Sequence, residues 1–155
     1  AEGLPLLAGP ASGGTRMQEG TLAFMAMVKI SAAISRHKEA GLPYLVYLRH
    51  PTTGGVMATW GSLGHLTVAE PGALVGFLGP RVHEALFGFA FPEGVQTSEN
   101  LFRHGLLDAV VPAEQLPAII DRVLGILMTP LCSAFPIAVL QRSTARRAAS
   151  CCALR

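Results

Sequence analysis

Ser12-Gly13-Gly14-Thr15-Arg16-Met17-Gln18-Glu19-Gly20 joins a short apolar run to a long helical pattern. Pro51-Thr52-Thr53-Gly54-Gly55-Val56 occupies the same place after a second strand-like run. Both glycine pairs sit where a strand ends and a helix begins. There the free backbone N–H groups and the positive end of the helix dipole point out of the fold. Two such loops that converge can hold the oxygen of an enolate or tetrahedral intermediate on backbone alone, with no side-chain nucleophile.

Working outward, Leu4 to Ala8 reads as a short buried strand. Met17 to Ala40 reads as one helix closed by Gly41 as its C′ residue. Its apolar residues, among them Leu22, Phe24, Met25, Val28 and Ile34, cover more than one face. Such a helix is sandwiched between layers or lies in a subunit interface. Pro43 to Leu48 favours a strand, and Val56 to Leu63 a short helix. His65 to Ala69 and Ala73 to Leu78 read as strands split by the turn Glu70-Pro71-Gly72. Pro80 opens a helix at its N1 position, and Ser98 is the expected N-cap of another that Gly105 stops. Leu107 to Val111 is a strand, and Glu114 to Met128 an amphipathic helix. Strands alternating with helices imply a mostly parallel sheet covered by helices. There is no internal repeat.

A chain of 155 residues suggests one domain. Half the residues are hydrophobic and 14% are charged, which permits a core and leaves apolar surface for a partner. The run from Leu22 stops at Lys29, and the run from Leu116 contains Asp121 and Arg122. Neither reaches the ~20 apolar residues of a membrane span. The start, Ala1-Glu2-Gly3-Leu4-Pro5, lacks a basic n-region, so no signal peptide is expected; the chain reads as beginning in the middle of something. The net charge of +2 rests on Arg142, Arg146, Arg147 and Arg155, all beyond the last acidic residue. No basic stripe carries interleaved aromatics, which argues against nucleic acid. Cys132, Cys151 and Cys152 form no C-x-x-C pair and read as reduced thiols of a cytoplasmic protein. The five histidines show no ligand spacing; His50, beside the second glycine loop, is the one worth testing. A boundary falls near Thr129-Pro130. Residues 1–129 form the domain, and 130–155 are expected to be a disordered basic tail.

The segment from Leu4 to about Met128 resembles the carboxyltransferase β subunit of bacterial acetyl-CoA carboxylase, of the crotonase-like superfamily. The matching pieces are the two glycine loops, Gly41-Leu42-Pro43-Tyr44, Ala69-Glu70-Pro71, Gly76-Phe77-Leu78-Gly79-Pro80-Arg81-Val82, Pro92-Glu93-Gly94-Val95-Gln96 and Gly105-Leu106-Leu107-Asp108. Seven pieces in order are far more specific than one glycine pair. The resemblance implies an α/β fold in which a ββα unit repeats into a superhelix, here incomplete at its N-terminal side. It also implies a reaction of fatty acid biosynthesis, in which carboxybiotin on a carrier protein gives up its carboxyl group and acetyl-CoA becomes malonyl-CoA. Gly13, Gly14, Gly54 and Gly55 would then hold the thioester enolate. Arg16 reads as a contact to a CoA phosphate or as a solvated first-turn arginine. Gly79, Pro80 and Arg81 read as the lining of the CoA channel or as a plain helix start. The implied partners are an α-type carboxyltransferase subunit, the biotin carboxyl carrier protein and acyl-CoA, in an oligomer.

The chain departs from that pattern in two ways. It lacks the family's four-cysteine zinc ribbon, so no zinc ligands are assigned, and it lacks the α-type half that binds biotin. The isolated chain is therefore expected to be inactive. The competing readings are a malonyl-thioester decarboxylase of the same fold, and a non-catalytic or truncated fragment that only associates with carboxylase subunits.

Overall fold

The computed structural model describes residues 3–14 and 20–129. The expectations for Arg16, for the first residues of the long helix and for the tail with its three cysteines lie outside the described residues.

Tyr44-Leu45-Val46-Tyr47-Leu48 forms β2 (Tyr44–Leu48), and every one of its residues is buried. A parallel strand covered on both faces reads as an unbroken apolar run. Its two phenols need partners inside. Tyr44 Oη donates to the Trp60 carbonyl at 2.8 Å, and Tyr47 Oη donates to the Val111 carbonyl at 3.0 Å. Burial pushes the Tyr44 phenol up to about 12, so it remains a donor at any ordinary pH. Around β2 lie β1 (Leu6–Ala8), β4 (Leu66–Ala69) and β6 (Ala109–Val110), in the order β1-β2-β4-β6 and all parallel. A small second sheet pairs β3 (Thr52–Thr53) with β5 (Val75–Gly76), also in parallel.

Parallel neighbours need crossover connections. The first is α1 (Gly20–Glu39), which ends with Gly41 at φ 75° and Leu42 N–H donating to the His37 carbonyl, as the C′ reading expects. The second passes through a π-helical turn, Met57–Gly61. Beyond β5 come α2 (Pro80–Phe87), α3 (Ser98–Arg103), a 3-10 turn (Ala113–Gln115) and α4 (Leu116–Leu127). The core joins Ile34 of α1, alternate residues of β2 (Tyr44, Val46, Leu48), Met57 and Val75. On the opposite face Tyr47 packs with Val68 and Val111.

Four expectations change, the simplest being that the predicted strand Leu107 to Val111 contracts to Ala109–Val110. The run from Leu4 makes an edge strand rather than a buried one: Leu6 and Leu7 are exposed, because no strand among the described residues covers the outer side of β1. The predicted strand Ala73 to Leu78 contracts to Val75–Gly76, since the chain leaves its partner β3 after two residues. Ser98 is not the N-cap. Thr97 takes that place, its Oγ1 accepting from Asn100 N–H, while Ser98 turns inward, fully buried. There Ser98 Oγ accepts from Ala73 N–H and donates to the Glu70 carbonyl. On α1 only Met27 and Ile34 are buried, and Leu22 is 84% exposed. The two-sided apolar pattern is real, but the described residues cover only one narrow stripe of it. An open apolar cavity of about 480 Å³ lies between β1, α1 and Trp60, and no glycine of either loop lines it.

The entry to β2 is closed by a histidine. Tyr44 N–H donates to His65 Nδ1 at 3.0 Å, and His65 N–H donates back to the Tyr44 carbonyl at 2.7 Å. Burial, and then Lys38 and His37 nearby, hold the imidazole below its ordinary value. The folded state thus binds fewer protons than the unfolded one in that range, and stability rises with pH. The contribution is present above the ordinary imidazole value and is lost as pH falls. The urea midpoint is expected to drop between pH 7 and 5, and to drop less in His65→Asn, whose amide oxygen accepts the same N–H at any pH.

Candidate functional site

Thr52-Thr53 forms the middle rung of the site. Ser12 bridges Thr52 in parallel, with Ser12 N–H donating to the Pro51 carbonyl at 2.6 Å and Thr53 N–H to the Ser12 carbonyl at 2.8 Å. On the other side β3 pairs with β5. Three chain segments therefore run side by side in one direction. Ser12 leads to Gly13-Gly14, Thr53 leads to Gly54-Gly55, and Gly76 leads through Phe77 and Leu78 to Gly79. Because the segments are parallel, all three loops leave from one end of this small sheet. That is the carboxyl end, where ligands of parallel α/β sheets bind. Threonine suits the middle position because its hydroxyl supplies bonds that a two-residue strand lacks. Thr52 Oγ1, fully buried, reaches the carbonyls of Pro10 at 2.9 Å and Arg49 at 2.7 Å.

The four glycines divide by what their amides do. Gly54 N–H donates to the Gly76 carbonyl at 3.0 Å, and Gly14 N–H to Ser12 Oγ at 3.2 Å. These two are not free donors; they shape the turns. Both hold positive φ, 69° at Gly54 and 113° at Gly14, where a Cβ is strained. Gly13 N–H and Gly55 N–H have no acceptor among the described residues. Val56 N–H, in the first turn of the helix, likewise has no acceptor among the described residues, so the second loop presents adjacent free amides from Gly55 onward. Gly55 stands at the start of the helical turn: Ala58 N–H returns to the Gly54 carbonyl at 3.0 Å and Thr59 Oγ1 to the Gly55 carbonyl at 2.6 Å. A helix start carries partial positive charge toward its exposed amides.

The third loop reaches α2 with Gly79 as N-cap and Pro80 at N1, and Arg81 is exposed in the first turn. Gly79 lies three residues after Gly76, so it is within about 10 Å of the second glycine loop's partner strand. Gln96 braces this loop, donating from Nε2 to the Leu78 carbonyl at 2.6 Å. It packs so close to Gly76 that a Cβ there would stand 2.5 Å from Nε2. Sequence reasoning assigned Gln96 no role, and its only signal was its place in the Pro92-to-Gln96 piece. Among the described residues no group of three or more His, Cys, Asp or Glu could hold a metal ion. What the arrangement offers chemically is glycine-loop amides with no acceptor among the described residues and two helix starts, suited to negative charge on an oxygen.

The chain is similar to known proteins. Residues 1–107 match the carboxyl transferase domain. The chain is 70% identical over 128 residues to the probable biotin-dependent acyl-coenzyme A carboxylase beta3 subunit of Mycobacterium bovis, covering 83% of this chain and 26% of that protein. It is 48% identical over 145 residues to the acetyl-coenzyme A carboxylase carboxyl transferase subunit beta of Sinorhizobium medicae, covering 94% and 46%. The chain thus spans less than half the length of these relatives. Among solved structures, the malonate decarboxylase hetero-dimer of Pseudomonas matches with a TM-score of 0.64 and 28% identity, over 80% of this chain and 54% of that one. The transcarboxylase 12S core matches with a TM-score of 0.68 over 90% of this chain and 29% of that one; at 17% identity it speaks for the fold alone. The fold is the crotonase-like one of carboxyltransferases. The ordered glycine loops, the parallel sheets and the match over residues 1–107 agree: the chain belongs to the carboxyl transferase domain family.

Proposed function

We propose that this chain supplies the acyl-CoA side of a biotin-dependent carboxyltransferase centre, in which acetyl-CoA or a related acyl-CoA is carboxylated. The observation that supports this most is the common exit of three loops from one end of the β3–β5 sheet, with Gly13 N–H and Gly55 N–H free of any acceptor among the described residues. In this reading Gly13 N–H and Gly55 N–H donate to the thioester oxygen as it gains charge in the enolate. Gly14 and Gly54 hold the turns that present those amides. Fixed backbone dipoles need no reorganisation when charge develops, and they do not titrate. Gly79, Pro80 and Arg81, with Arg16 from the first loop, receive the CoA portion. The carboxyl group arrives as the substrate carboxybiotin on its carrier protein, and an α-type subunit completes the site from the other side. The assembly is oligomeric and works in the cytoplasm. No helix among the described residues is long and apolar enough to cross a membrane.

The test is reconstitution of the chain with an α-type carboxyltransferase subunit, a carboxybiotin-bearing carrier and acetyl-CoA. Malonyl-CoA formation that requires all four components is the expected result. Carbon dioxide release from malonyl-CoA with no biotin present would favour the decarboxylase reading. A complex that forms but neither binds acetyl-CoA calorimetrically nor makes product would favour the non-catalytic one.

A further inference from the structure

His50 directly precedes the Pro51-to-Val56 loop and is joined to the strand that the loop pairs with. Its Nδ1 accepts from Leu74 N–H at 3.1 Å. A backbone amide can only donate, so Nδ1 carries no proton and the imidazole is in the neutral Nε2–H form. The bond falls at a telling place. Thr52 pairs with Val75 in register and Thr52 N–H donates to the Leu74 carbonyl at 2.8 Å, so the His50–Leu74 contact adds one rung at the entry of a ladder only two residues long. At the other end of the same ladder, Gly54 N–H meets the Gly76 carbonyl. The Glu70-to-Leu74 turn is in turn fastened from both sides. Glu70 Oε2 accepts from His50 N–H at 3.0 Å, Ser98 Oγ donates to the Glu70 carbonyl at 2.8 Å, and Glu99 Oε1 accepts from Gly72 N–H at 2.7 Å.

We propose that His50 is a positioning residue for the Gly54-Gly55 loop: its neutral imidazole clasps β5 to β3 and holds the Gly55 amide in place, and protonation opens the clasp. A protonated imidazole has donors on both nitrogens, so Nδ1–H would confront Leu74 N–H and the rung must break. The charged groups tied to this clasp are Glu70, which accepts from His50 N–H, Glu99, which accepts from Gly72 N–H, and Arg49, the residue before His50 in the chain. Glu99 is held below the usual carboxylate range, chiefly by the Gly72 amide, and stays ionised between pH 5.5 and pH 8. The inference rests on the proposed role of the Gly55 amide, and the two can fail separately.

Two measurements on the whole chain reconstituted with its α-type partner decide it. The first is hydrogen exchange with mass spectrometry, as protection factors for the peptides covering 72–78 and 50–56 at pH 5.5 and pH 8. The expected result is a loss of protection on the order of tenfold at pH 5.5, as befits one net hydrogen bond. In His50→Asn, whose amide oxygen accepts Leu74 N–H at any pH, the loss is absent, and in His50→Ala it is present at both pH values. The peptide covering 43–47 reports His65 separately. Equal protection of 72–78 at both pH values in the unmodified chain overturns the clasp. The second measurement is the pH profile of carboxyl transfer. Expected is an acid-side decline that is shallower in His50→Asn, with kcat affected and acetyl-CoA KM little changed. If exchange behaves as expected but the two profiles coincide, the clasp stands and the oxyanion role of the Gly55 loop is overturned.

Discussion

Gly13→Val is expected to lower kcat/KM for carboxyl transfer by roughly 10²–10³-fold in the reconstituted complex, the scale on which an oxyanion-hole donor acts. The fold should not feel the change. Gly13 is exposed, a Cβ built on it meets nothing within 4 Å among the described residues, and its φ lies outside the left-handed region. The unfolding free energy from urea titration should therefore stay within about 0.5 kcal/mol of the unmodified chain, as for surface substitutions generally. The valine acts instead by standing where a thioester oxygen would approach the amide. Unchanged kcat/KM would refute the donor role of the first loop. Gly54→Val is a poorer test, although the sequence makes Gly54 and Gly13 look alike. At Gly54 the backbone is left-handed and the amide already bonds Gly76, so lost activity there would mix strain with chemistry.

Leu48→Ala is expected to cost about 2–5 kcal/mol, the range for emptying a well-packed leucine site. Leu48 has no exposed surface and closes β2, packing with Met57, Ala69 and Val75 in one cluster. Gly61 of the π-helical turn is also close to it, since a Cβ there would lie 3.5 Å from Leu48 Cδ2. The space cannot collapse easily, because Met57 and Gly61 belong to a turn already tied at Gly54 and Gly55. Leu48 also stands one residue before the Arg49-His50 loop, and its carbonyl accepts Glu70 N–H at 2.9 Å. A lowered urea midpoint should therefore come with weaker protection of the 70–76 segment. A loss below about 1 kcal/mol would mean that the core relaxes around the gap.

The larger sheet was legible because its strands announce themselves. Tyr44 to Leu48 is aromatic and aliphatic throughout, and the Glu70-Pro71-Gly72 turn marks where β4 ends. The smaller sheet was not. Thr52–Thr53 and Val75–Gly76 are too short to show alternation, and they become strands only through pairing with distant segments. Yet that sheet is what gathers the three loops. Sequence marked the glycine loops but could not say that Gly54 N–H was already bonded, because Gly76 reaches it through the fold; Gly14 N–H is taken locally by Ser12 Oγ. Ser98 and Thr97 were exchanged as caps for a similar reason: either hydroxyl fits the local pattern, and the buried Ala73–Glu70 backbone claims Ser98. His50 was flagged by its place in the chain. Its proton-accepting role needed Leu74 in view.

The outer side of β1 carries a further consequence for handling the molecule. No strand among the described residues pairs with its row of backbone groups, which runs beside Leu6, Leu7 and the apolar hollow next to Trp60. An uncapped strand edge of this kind is a template on which other chains can add. Preparations of the lone polypeptide will clump as concentration rises, and they should be worked dilute or purified together with a companion protein.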